Sequence, residues 1–420
     1  MTTKITQANT EFSTVTWQSV IVADGSTTTT AEAGKGYIID TSSATHTINL
    51  PASPSAGDTV AVIQSGSNAV TVGRNGSNIL SGTSDKTLNT NASVTFVYTS
   101  SASIGWVQQN NDVPDSFISA TGGTETTDGD YKIHTFTSSG CFTVSTLSDN
   151  TTYNNVDYLV VAGGAGGAVQ IAGGGGAGGF RESKDASVNS PHTASPLATT
   201  SGVTVTAQTY PVTVGGGGAG APAGAVSCAS TNFGASGSNS VFSTITSTGG
   251  GGGAGNTNED GNTGGSGGGG GLRTGLGGSG NTPPVSPSQG NPGGNAVNTD
   301  GGAGGGGGGA TAAGTNASGC SPAQAGPGGA GATTSISGTS TAYAGGGGGG
   351  GRNNTGTSES NAGTGGSGGG GDGVKLGGVA GNAGTSNTGG GGGGSGFNPG
   401  TGGAGGAGGS GIVIIRYKYQ

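Results

Sequence analysis

Charged side chains are scarce in this chain. Asp, Glu, Lys and Arg make up 8% of the 420 residues and aromatics 5%, both low for an ordinary globular protein. The net charge of −8 removes the electrostatic case for binding nucleic acid. No apolar stretch approaches the roughly 20 residues that cross a bilayer, so membrane insertion is not expected. Met1–Thr10 is polar and lacks the apolar core of a signal peptide. The sequence therefore reads as a protein made in a cytoplasm, reaching the outside, if it does, by a route other than secretion.

Cysteine is equally sparse. Cys141, Cys228 and Cys320 are too few and too widely spaced for a disulfide framework. They read as small, partly buried residues, with a Cys228–Cys320 pair as the alternative. His46, His134 and His192 lack the partner spacing of a zinc site and read as structural. No cofactor or metal is expected. Gly-x-Gly-x-x-Gly matches recur, but none follows a strand and opens a helix, as a dinucleotide site requires. Glu259 and Asp260 stand in an Asn/Gly turn, with no scaffold to set two carboxyls across a sugar bond. Enzymatic function is not expected.

What the chain has is glycine, 103 residues of it, concentrated between Gly163 and Gly411 in runs such as Gly249–Gly253, Gly304–Gly309, Gly345–Gly351 and Gly389–Gly394. Glycine loses the most entropy on ordering and buries no side chain, so such composition ordinarily signals a flexible tract. Two apolar strands bracket this block, Val156–Ala162 (VDYLVVA) and Ile412–Tyr419 (IVIIRYKY). Their pairing would pin the block at both ends.

Four regions follow. Residues 1–112 carry short alternating segments separated by turn signals: Thr14–Val22, Gly36–Asp40, Thr45–Leu50, Thr59–Gln64, Ala69–Val72, Ser93–Tyr98 and Ile104–Gln108. They read as a β-sandwich or barrel-like module for attachment or oligomerisation, with Trp17, Phe96, Tyr98 and Trp106 as anchors. Residues 113–162 read as a connector, Val113–Asp130, and a small β platform. In the platform Tyr131–Thr137 and Gly140–Ser145 form a hairpin across Ser138–Gly140. Residues 163–411 are the glycine block with display loops, and 412–420 a strand closing the platform.

Continuous glycine runs with only 14 Pro lack the three-residue repeat of collagen. Packed side by side in the polyproline II conformation, such runs bond laterally through N–H and C=O groups that point outward. A central run can then have six neighbours, giving a polyglycine II bundle whose core is backbone. Ala165, Ala177, Ala254, Ser266, Ser367 and Ala404 would replace Gly on outer faces. The fold class expected is all-β plus a polyglycine II helix bundle.

The segments VDYLVVAGG at 156–164, YPVTVGGGGAG at 210–220, SVFSTITSTGGGGGAG at 240–255 and GGSGIVIIRYKY at 408–419 resemble the glycine-rich domain of bacteriophage tail-fibre and adhesin proteins. The resemblance covers residues 131–420. It implies a virion surface protein whose bundle presents loops to a glycan or protein of the host surface. The N-terminal region would meet other virion proteins, and fibre proteins of this kind are commonly homotrimers. The longest loops, 180–209, 272–300 and 310–344, are the candidates for receptor contact. Within and beside them we single out Phe180, Arg181, Leu272, Arg273, Tyr343 and Arg352, each with capping of the bundle as the alternative role. A purely structural virion protein, such as a head fibre, decoration or tail component, is the alternative function.

Overall fold

The computed structural model describes residues 6–7, 10–11, 15–89, 92–109, 117–148, 150–224, 232–255, 259–272, 274–298, 302–319, 323–352, 360–398 and 401–420. Among these the chain is all-β and extended, with one 3-10 turn at Thr151–Asn154 and no α-helix. It divides into two compact units, Met1–Phe117 with Ser148–Thr151, and Ile118–Leu147 with Thr152–Gln420.

In the first unit Val, Ile and Thr alternate along short strands, which suits half-buried sheet. Ile21–Val22, Lys35–Asp40 and Thr59–Ser65 lie parallel in one sheet. Thr28–Thr30, His46–Asn49 and Val70–Gly73 lie parallel in a second. The chain thus crosses between the sheets after each strand and advances one place per circuit, forming a short coil. Lys86–Leu88, Ser93–Tyr98 and Trp106–Gln109 then add antiparallel strands. Ile39, Ile48, Val60, Val70, Phe96 and Trp106 share a core in which most are fully buried. No closed barrel forms. Parallel strands linked by short crossings leave sheet edges open, whereas closure would need the last strand to pair with the first.

The second unit is built on two sheets. In the larger, Ile412–Lys418 lies between Tyr131–Phe136 and Asn155–Val161, antiparallel to both, with Asp157 opposite Arg416 and Val161 opposite Ile412. Both faces of this centre are buried. Val413, Ile415 and Tyr417 face Phe142, Tyr210 and Phe242 of the smaller sheet. Ile412 and Ile414 face Phe180, Ile336 and Tyr343 on the other side. A strand buried on both faces reads as a continuous apolar run, which is why IVII shows no alternation. Each such side chain contributes about 1.5–3 kcal/mol of transfer free energy.

Two expectations for the platform are corrected. Tyr131–Phe136 and Gly140–Thr146 do not pair with each other. The first pairs with Thr124–Asp128 and Ile412–Lys418, the second with Ser119–Thr121 and Thr209–Thr213. Ser138–Gly140 is therefore a corner between sheets. A better-matched apolar partner captures each strand, and Phe136 and Phe142 meet in the core between the sheets. The connector also contains two strands, Ser119–Thr121 and Thr124–Asp128. The second is fully exposed, so it carries no hydrophobic signature. Gly122 and Gly123 between them both have positive φ, and a Cβ on Gly122 would lie 2.0 Å from the Cys141 carbonyl oxygen.

The glycine block is ordered by backbone hydrogen bonds between runs distant in sequence. The run 172–179 lies at its centre. Its N–H groups are directed with a period of three: Gly173 and Gly176 donate to Ala254 and Gly251, Gly174 and Ala177 to Gly305 and Gly308, Gly175 and Gly178 to Gly392 and Gly389. Its carbonyls accept with the same period. Gly173 and Gly176 accept from Ala168 and Ala165, Gly174 and Ala177 from Gly269 and Ser266, Ala172 and Gly175 from Gly350 and Gly347. Six runs, 163–169, 249–255, 266–271, 304–309, 345–351 and 389–395, therefore surround one. Carbonyl oxygens lie about 2 Å from where a Cβ would stand at Gly173, Gly175, Gly307 and Gly391, so a side chain there would meet backbone. Ala165, Ala177, Ala254 and Ser266 are fully buried, not on outer faces as expected. They stand on inner runs, and Ala177 packs with Phe180 and Ile414.

Candidate functional surface

The runs alternate in direction. Residues 163–169 leave the Asn155–Val161 strand, and 172–179 return to Phe180–Ser183. Residues 215–221 leave Thr209–Thr213, and 232–239 return to Ser240–Phe242. Every second connection therefore falls at the end of the block away from the sheets. Gln170 and Ile171 form the central turn there, both with positive φ and both buried. Val297 bridges to Ala303 and Ser318 to Gln324 within single connections, and Arg352 with Phe397 ties two connections together. The Arg352 guanidinium lies 5.4 Å from the centre of the Phe397 ring, within cation–π range.

Leu276, Leu376 and Val379 are 53%, 47% and 44% exposed, and they are the exposed large apolar residues of the second unit among those described. All three stand at this far end, in connections that turn runs around. Scattered exposed leucines need no explanation. Confinement to one end of a block whose sides are glycine, serine and asparagine does.

The six residues singled out from the sequence fall into two groups. Phe180 and Tyr343 are 1% and 4% exposed and share the core above the larger sheet. This corrects their candidacy: neither side chain can reach a ligand, because each covers the strands at the base of the block. Arg181 stands beside Phe180 on the same strand, half-buried, opposite Val160. Leu272 and Arg352 lie at the far end, both half-buried. Arg273 lies outside the described residues, as do Cys228 and Cys320. Cys141 is exposed and unpaired.

Sequence reading missed a buried polar cluster where the 182–199 segment and the Ala332–Tyr343 hairpin meet the larger sheet. Glu182 accepts hydrogen bonds from the Ser195 N–H at 2.9 Å and from the Thr334 hydroxyl. The His192 Nε2 stands 3.9 Å from Glu182 Oε1, both side chains fully buried. Asp157 accepts from the Ser183 hydroxyl at 3.0 Å and the Asp185 N–H at 2.8 Å. Arg416, fully buried, donates to Asp128 at 2.8 Å and lies over the Tyr131 ring. The signals available were the charged Asp157 and Arg416 inside the two apolar strands, polar residues that burial forces to find partners. The cluster ties loops to sheet. Among the described residues, no group of three or more potential ligands could hold a metal.

The cluster makes stability depend on pH in a testable way. Burial raises the Asp157 carboxyl to about 6, so the folded state holds its proton more tightly than the unfolded chain. That contribution is complete below about 3.8 and is lost as pH rises through 6. Burial, and then the charges of Lys184 and Arg416, lower His192 to about 3. Its contribution is present above 6.5 and is lost as pH falls towards 3. Between pH 4 and 6 the two slopes oppose, each about 1.4 kcal/mol per pH unit at most. Glu182, also raised by burial, acts in the sense of Asp157. Relative to the parent, we expect Asp157→Asn to shift the slope of unfolding free energy against pH upward in this window, and His192→Gln to shift it downward. Denaturant titrations across pH 4–6 check this; identical profiles for the two variants would refute it.

Residues 137–418 match the model of the glycine-rich domain family, and the chain belongs to that family. No curated protein matches the chain.

Proposed function

We propose that this glycine-rich domain protein is a fibre or adhesin of a bacteriophage particle, binding the host cell surface through the far end of its glycine block. We read the block as a polyglycine II bundle. The three-residue period of its donors and acceptors and the six runs around 172–179 support that reading. A backbone-bonded block with alternating connections is a rigid stalk that presents one end, and function concentrates on loops held by rigid elements. The observation that carries the proposal is the confinement of exposed Leu276, Leu376 and Val379 to that end.

The partner is a glycan or protein of the host surface, and the N-terminal unit joins other virion proteins. A homotrimer would multiply weak single contacts. We assign the protein to the virion surface and assign it no catalysis.

The test is binding of labelled full-length protein to intact candidate host cells, alongside a Leu276→Ser, Leu376→Ser, Val379→Ser triple variant. The variant removes exposed groups only, so its melting temperature should match the parent, while cell binding falls at least about tenfold, the equivalent of 1.4 kcal/mol. Equal binding by both would move the contact elsewhere. No binding by the folded parent would favour a structural virion protein.

A further inference from the structure

Among the described residues, one inner run of the glycine block bonds to fewer neighbours than the others. Runs 163–169, 266–271, 304–309, 345–351 and 389–395 each bond to six neighbours. For 163–169 these are 172–179, 215–221, 232–239, 249–255, 389–395 and 402–409. Among the described residues the run 249–255 has five. Gly250 and Gly253 donate to Gly163 and Gly166, and Gly251 and Ala254 donate to Ser266 and Gly269. Its carbonyls accept from Gly176 and Gly173 at the centre, from Gly237 and Gly234 on one flank, and from Asn262 and Gly265 on the other.

With a period of three, the remaining N–H groups, those of Gly249, Gly252 and Gly255, point away from the centre, between the flanking runs 232–239 and 259–265. The Gly249 N–H is taken by Asn239 Oδ1 at 2.9 Å. Among the described residues no acceptor stands opposite the Gly252 N–H, although Gly252 is buried. Asn262 lies over it, with Nδ2 3.3 Å from where a Cβ would be. Asn239 and Asn262 are themselves exposed. Two asparagine side chains, displaceable from their positions, thus stand where other inner runs have a backbone neighbour.

We propose that this groove is a docking site for an extended glycine-rich segment of a partner protein. The donors recur every third residue, about 9 Å at the rise of such a run. A partner must present carbonyls at that spacing and, to come within hydrogen-bond distance between two flanking backbones, carry no bulky side chain. A strand with ordinary side chains meets neither condition. The docked segment would complete the sixth contact of 249–255 and add to the lateral bonding already present.

The experiment uses the full chain and a labelled peptide, Gly-Gly-Ala-Gly-Gly-Ala-Gly-Gly, which copies residues 402–409. Fluorescence anisotropy should show saturable binding, and hydrogen exchange by mass spectrometry should show slowed exchange at 249–255 while 304–309 stays unchanged. A peptide with Val at every third position should not bind. Asn262→Phe, a substitution at an exposed side chain, should weaken binding at least about tenfold. No saturable binding up to the peptide's solubility limit overturns the proposal. So does binding that leaves exchange at 249–255 unaltered, or self-association of the chain through this groove that excludes the peptide. The exchange measurement needs no variant and decides the matter if Asn262→Phe fails to fold. Loss of host binding at the far end would leave this result untouched.

Discussion

Gly175→Val is expected to abolish folding of the second unit. A Cβ at this position would lie 2.2 Å from the Ala165 carbonyl oxygen and 2.8 Å from that of Gly166. Overpacking in an ordinary core costs about 1–3 kcal/mol, because side chains yield by changing rotamer. Here the obstacle is backbone already bonded on several sides, which cannot yield without breaking the bonds of its own neighbours. The cost should exceed that range and consume most of the stability of a domain, about 5–15 kcal/mol in total. The control is Gly216→Ala. Gly216 is exposed, its φ is not left-handed, and a Cβ there meets nothing within 4 Å. That substitution should be neutral or stabilise by up to about 1 kcal/mol through the unfolded chain. Soluble yield and thermal unfolding of the two variants check the contrast. A folded Gly175→Val protein would mean that the runs are not held as closely as their hydrogen bonds require.

Truncation after Gly411 should be as damaging by a different route. Ile412–Lys418 is the strand between Tyr131–Phe136 and Asn155–Val161. Its removal strips both neighbours of their ladder and opens two cores at once, since Val413, Ile415 and Tyr417 fill one and Ile412 and Ile414 the other. Ile414, Ile415 and Tyr417 are completely buried. At about 1.5–3 kcal/mol for each of its four buried aliphatic side chains, the loss is about 6–12 kcal/mol, comparable with the whole stability of a typical domain. Limited proteolysis should degrade the glycine block of the truncated chain, and persistence of a resistant fragment spanning 163–411 would contradict this account. The strand also sets the register of Asp157 opposite Arg416, on which the buried polar cluster is built.

Much of this architecture was legible in the sequence for a physical reason. VDYLVVA and IVIIRYKY are the longest β-prone apolar runs in the chain, and each demands a partner to cover its two faces. The glycine runs could be located because glycine is countable. Which strand pairs with which was less legible. Alternation in Thr124–Asp128 is absent because that edge strand is exposed on both faces, so nothing distinguished it from a loop. The corner at Ser138–Gly140 looks locally like a hairpin, and only the competing partners Ile412–Lys418 and Thr209–Thr213 send its arms apart. The parallel coil of the first unit shows the same limit: period two reports which side chains face inward, not the direction of the neighbouring strand. Phe180 and Tyr343 misled for a related reason. In a chain so poor in aromatics, a large side chain beside glycine invites a binding role, yet the base of the block has the greater need of covering groups. The cluster of Asp157, Glu182, His192 and Arg416 assembles from segments far apart in sequence and left as its trace a charged residue inside each of the two apolar strands, Asp157 and Arg416.

The backbone core also sets how this protein responds to temperature. Unfolding an ordinary domain hydrates hydrocarbon, which raises the heat capacity and bends the stability curve into a dome, whereas hydrating peptide groups lowers it. In the glycine block the buried surface is largely amide and methylene, with side-chain apolar cores confined to the sheets at its base. The two contributions partly cancel. The curve of the second unit is therefore expected to be flattened, with little weakening on cooling, where interiors built on oil-like contacts lose part of their driving force.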